Sequence, residues 1–107
     1  MARTTKRETK PQQEAKRFLA SVPDEHVFWS HDGRILHDIR ELGEALTMMS
    51  DETFAYHYNV EKKDFSNWAR DLIGDAQLAN RLDLSVTRLE AASAVSARIA
   101  ALSRRLG

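Results

Sequence analysis

A histidine followed seven residues later by an aspartate, His57 and Asp64, with Tyr56 and Tyr58 beside the histidine, is the arrangement in this chain closest to acid–base chemistry. An imidazole oriented by a carboxylate can move a proton near neutral pH, and a phenol can hold or donate one beside it. Such work also needs a cleft and a third orienting group, and the sequence identifies neither. Asp64 stands directly before an apolar helical pattern beginning at Phe65, where an N-cap is expected. His57 is expected to be partly buried and bonded to a carboxylate or cap. The expectation is no catalytic residue; the alternative is a small-ligand-binding or catalytic domain centred on His57, Tyr58, Asp64 and Trp68.

His26, His31, His37 and His57, with Asp32 and Asp38 nearby, raise a metal centre as a second reading. No histidine pair has the three- or four-residue helical spacing of a compact ligand set, and the chain has no cysteine to supply a thiolate. No metal ligand and no cofactor are expected. Phe54, Tyr58, Phe65 and Trp68 could stack bases or grip a ligand, but their spacing also suits a core where two helices meet, which is the expectation for a small domain.

Charge is the remaining chemical feature. The net charge of the 107 residues is zero, yet residues 1–17 carry +4, residues 18–75 carry −7 and residues 76–107 carry +3. Arg3, Lys6, Arg7, Lys10, Lys16 and Arg17 are candidate phosphate contacts, and binding through them would weaken steeply with salt. No base-reading element accompanies them, so such contact would be nonspecific.

The elements that would position these residues are mostly helical. Residues 1–9 hold almost nothing apolar and are expected to be a disordered basic tail, and residues 10–107 a single helical domain. Thr9 and Gln12 have capping-box spacing with Pro11 between, predicting a helix to about Ser21 that buries Phe18, Leu19 and Val22 before Pro23. Asp32-Gly33 between two apolar runs predicts a β-hairpin at about 27–37 with Asp32 and Gly33 as its central turn residues. Asp38, Ser50, Asp64 and Asp75 then open four successive helices, with Gly74 past the end of the third and a break at Asp83 to Ser85.

A long terminal helix is expected at about 85–106. Val86, Leu89, Ala92, Val95, Ile99, Leu102 and Leu106 form a near-heptad seam on it, flanked by alanines that permit close approach. That seam, represented by Val95, Ile99, Leu102 and Leu106, can serve a partner helix or the protein's own bundle. The fold class is therefore mainly α, a small multi-helix bundle with one short β-hairpin and a long C-terminal helix.

The run FWSHDGRILHDIRELGEAL, then MSDETFAYH, then DFSNWARDLIGDAQLA resembles a small helical domain family of prokaryotes, mostly archaea, whose function is unknown. The resemblance spans Phe28 to about Ala79 and rests on His57, Asp64-Phe65, Trp68, Gly74-Asp75 and Leu78-Ala79. It implies a helical module sometimes joined to other domains, and it assigns no catalytic residues.

Without cysteine, an N-terminal apolar leader or the ~20 apolar residues of a bilayer span, a soluble cytoplasmic protein is expected. The functional expectation is a non-enzymatic adaptor or regulatory module. It would bind a protein partner, or itself, through the C-terminal helix, and a nonspecific nucleic-acid or ribonucleoprotein surface through the basic tail, without membrane contact.

Overall fold

The Thr9 hydroxyl accepts the Gln12 backbone N–H at 3.2 Å while the Gln12 side chain accepts the Thr9 N–H at 2.9 Å, so both members of the capping box start helix α1, Lys10–Leu19. This computed structural model describes residues 8–107. The expected tail therefore falls mostly outside the described residues, whereas Thr9 belongs to the helix start. α1 stops at Leu19, short of Ser21, because the chain turns extended at Ala20 and the Val22 N–H is taken by the His37 carbonyl at 2.8 Å.

A short 3₁₀ turn, Asp24–His26, leads into strand β1, Phe28–Trp29, which pairs antiparallel with β2, Ile35–Leu36. The register sets Phe28 opposite Leu36 and Trp29 opposite Ile35. Alternation then sends Phe28 and Leu36 into the core and leaves Trp29 and Ile35 outside. The turn differs from expectation. Gly33 N–H closes back on the Ser30 carbonyl at 2.9 Å, and only Gly33 has positive φ, at 97°. His31 and Asp32 are thus the central residues, and Gly33 takes the left-handed bulge position that follows a type I turn.

Helix α2, Ile39–Met48, is capped by Asp38, and α3, Asp51–His57, by Ser50, as their spacing predicts. Helix α4, Asp64–Trp68, runs without a break into a π-helical turn, Ala69–Ile73. The widened turn ends with the N–H groups of Gly74 and Asp75 both on the Ala69 carbonyl at 2.9 Å, and Gly74 has φ 89°. Asp75 caps α5, Ala76–Asp83, and a Thr87–Glu90 capping box opens α6, Arg88–Arg105.

α6 is the packing axis and contacts α1, α2 and α5. Ile39, Leu42, Leu46, Leu78, Leu82, Val95 and Leu102 fill the space between these helices. Gly43 lets α2 approach closely, since a Cβ there would lie 3.1 Å from Val95 Cγ1. Phe28, Phe54, Phe65 and Trp68 form the aromatic half of the core under the hairpin, with Phe28 and Phe65 stacked at 5.2 Å. Among the described residues, no helix is long and apolar enough to cross a membrane.

Candidate functional site

Asp64 is not a helix cap. The N-cap of α4 is Lys63, which makes no capping bond, and the Asp64 carboxylate instead meets His57 Nδ1 at 3.0 Å. The other ring nitrogen, Nε2, accepts the backbone N–H of His31 at 2.9 Å. Accepting at Nε2 places the ring proton on Nδ1, so His57 is a neutral donor to Asp64 and has no free nitrogen for proton transfer. The ring is buried among Phe28, Phe65 and Tyr56, at 4.9, 5.3 and 5.0 Å between centroids. The hairpin turn, α3 and α4 are therefore joined through one imidazole.

The other two members of the candidate cluster are also engaged structurally. The Tyr58 hydroxyl donates to the Leu82 carbonyl, and burial, with the nearby Asp83 carboxylate adding to it, raises its pKa above the ordinary tyrosine value. The Trp68 indole N–H donates to the His26 carbonyl at 2.8 Å. Tyr58 and Trp68 lie on separate sides of the aromatic core, so His57, Tyr58, Asp64 and Trp68 do not converge on one cleft. Asp64 and Trp68 share a surface, a shallow groove beside Phe28.

Among the described residues, no group of three or more potential ligands has metal-binding geometry. His37 bonds Glu41 through Nδ1 at 2.8 Å, and Glu41 also accepts the His37 N–H at 2.7 Å. His31 stacks on exposed Tyr56 at 3.9 Å, and Lys62 Nζ lies 4.0 Å from the same ring.

The terminal-helix seam is taken up inside the fold. Val95 and Leu102 are wholly buried, and Ile99 is half-buried beside Gly43. Leu106, past the helix end, is exposed. Val86 lies outside the helix and is exposed with Leu84 and Leu89, so the apolar surface that α6 leaves open is at its start rather than along the seam. Of the two uses open to the seam, the bundle's own is the one seen, with α1 and α2 packed on α6.

Of the candidate phosphate contacts, Arg3, Lys6 and Arg7 lie outside the described residues. Lys10, Lys16 and Arg17 are exposed on α1, with Lys16 paired to Glu8. Lys10, Glu14 and Arg17 fall at i, i+4 and i+7, which is one stripe of the helix. Arg105 reaches that stripe from the end of α6, bonding Glu14 at 2.9 Å and the Pro11 carbonyl at 3.4 Å. The start of α1 and the end of α6, 91 residues apart at this contact, thus meet through the Glu14–Arg105 pair, and Lys10, Arg17 and Arg104 are exposed on these two helices.

Sequence reasoning also missed Arg98 and Arg88, which tie α6 to α5 and α2. Arg98 makes a buried bidentate pair with Asp75. Arg88 donates to the Leu46 and Thr47 carbonyls at 2.8 and 3.0 Å, satisfying the end of α2, and bonds Asp51 at 2.9 Å. Comparison of the chain with protein-family models, curated proteins and solved structures finds no match.

Proposed function

We propose that this protein is a non-enzymatic adaptor whose basic end contacts nucleic acid or a similarly phosphate-rich surface without reading sequence. The observation that supports this reading is the convergence of α1 and the α6 terminus. Two helices with exposed cations, far apart in the chain, are joined where Glu14 pairs with Arg105. Phosphate contacts need accessible cations and no shaped pocket, and Lys10, Arg17 and Arg104 are exposed, with no ion pair among the described residues. The other arginines of α6 serve the fold, Arg98 on Asp75 and Arg88 on the α2 carbonyls.

Two further observations favour an adaptor over an enzyme. His57 has both nitrogens engaged, and Tyr58 donates to a backbone carbonyl. The cluster that most resembles catalytic machinery therefore has both His57 nitrogens and the Tyr58 hydroxyl committed to holding the fold together.

Fluorescence anisotropy with a short labelled DNA duplex tests the reading. The intact chain should bind at low salt, with log K falling linearly against log salt, and Lys10→Glu with Arg104→Glu should weaken binding and flatten that slope. Binding that is undetectable at low salt, or indifferent to the double substitution, refutes it.

A further inference from the structure

The groove that Asp64 and Trp68 share lies between β1 and α4, has a volume of about 360 Å³, and is lined by Phe28, Asp64, Asn67, Trp68, Asp71 and Leu72. Its floor is aromatic, Phe28 edge-on to Trp68 at 5.8 Å, and exposed Leu72 forms an apolar wall. Asp64 and Asp71, from α4 and the π turn, both line the groove.

Asp71 has no ion-pair partner among the described residues, and Asp64 is paired on one oxygen only. Asp64 engages His57 and, at 3.5 Å, Lys62 through Oδ2 alone, which leaves Oδ1 without a bond among the described residues. His57 brings no charge to this contact, because its Nε2 accepts the His31 N–H. Asp71 is exposed, and the neighbouring Arg70 is turned away to Asp83 and Asn80. The groove therefore presents the unpaired Asp71 carboxylate and the open Oδ1 of Asp64 over an apolar bed.

We propose that this groove binds a basic peptide segment of a partner protein, seating one arginine or lysine side chain. Such a side chain has an aliphatic stem to lie on Phe28, Trp68 and Leu72 and a cationic head to reach Asp64 Oδ1 or Asp71. Arginine suits it best, since a planar guanidinium can stack on an aromatic edge and bond a carboxylate together. A chelated metal ion is not the occupant proposed, since among the described residues no group of three or more potential ligands has metal-binding geometry. His57 is then a positioning residue: it holds the Asp64 carboxylate at the groove edge and is itself held by the hairpin turn.

The test is an NMR titration of the intact ¹⁵N-labelled chain with the capped peptides acetyl-Leu-Arg-Leu-amide and acetyl-Leu-Glu-Leu-amide. The arginine peptide should shift the Trp68 indole N–H and the Asn67 side-chain amide, and the glutamate peptide should not. Asp71→Asn, at an exposed position, should keep the fold and weaken binding about 3- to 5-fold, the range of an exposed ion pair. Asp64→Asn should weaken it similarly, and His57→Gln should weaken it with Asp71 intact. Equal binding of the two peptides, or an Asp71→Asn variant that binds like wild type, overturns the proposal. Tighter peptide binding by a chain lacking residues 1–7 overturns the partner assignment in favour of the chain's own N-terminal segment. DNA binding at the basic end is measured separately and is unaffected by these outcomes.

Discussion

Arg98 grips Asp75 through two hydrogen bonds, Nε to Oδ2 at 2.8 Å and Nη2 to Oδ1 at 3.0 Å, with both side chains out of solvent. The same carboxylate accepts the Leu78 N–H at 3.1 Å and so starts α5. One buried charge thus caps one helix and docks another.

Removing either partner should leave an uncompensated buried charge. Arg98→Met or Asp75→Asn is expected to cost about 3–5 kcal/mol in urea unfolding. The double variant Asp75→Asn/Arg98→Met should be less destabilised than the sum of the singles. Additive losses would show that the two groups do not stabilise each other.

His57→Phe keeps an aromatic ring in the core but strands the His31 N–H and leaves Asp64 Oδ2 to Lys62 alone. The expected loss is about 1–3 kcal/mol, the range for an unsatisfied buried polar group. Hydrogen exchange at the His31 amide should accelerate by more than the global loss of stability accounts for. An unchanged His31 amide would mean that the imidazole does not secure the turn.

Glu41 and Glu90 should make stability fall in acid. The bonds from the His37 ring and His37 N–H hold Glu41 below the ordinary glutamate range, and the N–H groups of Val86 and Thr87 do the same for Glu90. A folded-state pKa below the unfolded value of about 4.3 gives stability that is complete above that value and is lost as pH drops through the folded one. Glu41→Gln and Glu90→Gln should each flatten the decline in urea midpoint below about pH 5. A wild-type slope in both variants would locate the acid sensitivity elsewhere.

Gly43→Ala places a methyl group where Val95 Cγ1 stands 3.1 Å away. The helix gains about 1 kcal/mol of propensity and meets an overpacking cost of about 1–3 kcal/mol, so a net loss is expected. In a Val95→Ala background the same substitution should stabilise. A double-mutant cycle with no coupling between positions 43 and 95 would contradict the close approach of α2 and α6.

Leu102→Glu should unfold the chain rather than alter its association. Leu102 is wholly buried against the protein's own helices, so circular dichroism should lose helical signal at ordinary temperature. A folded Leu102→Glu variant with a changed mass in light scattering would restore the idea of an intermolecular seam.

Local signals were legible in the sequence, and long-range pairings were not. Thr9, Asp38, Ser50 and Asp75 cap the helices that their spacing announces, because a cap depends on residues three apart. Asp64 has the same local signature, but its carboxylate is drawn to His57 across a loop, a competition that no local rule contains. Arg98–Asp75 and Arg88–Leu46 span 23 and 42 residues, and any arginine on α6 would have looked equally free. The seam was legible as apolar, but periodicity cannot tell an internal partner from an external one. Gly43, a small residue on the opposing helix, was the available hint. The π turn at Ala69–Ile73 has no feature in the sequence that predicts it.

The two tryptophans sit in opposite surroundings, Trp68 4% exposed with its indole bonded to His26 and Trp29 69% exposed on the outer face of the hairpin. The protein therefore carries two optical probes of different colour. Trp29 should emit to the red and be quenched by iodide, while Trp68 should emit to the blue and stay shielded. Trp29→Phe removes an exposed ring outside the core and leaves a single fluorophore on the floor of the acidic groove, so that occupancy there can be followed by light alone.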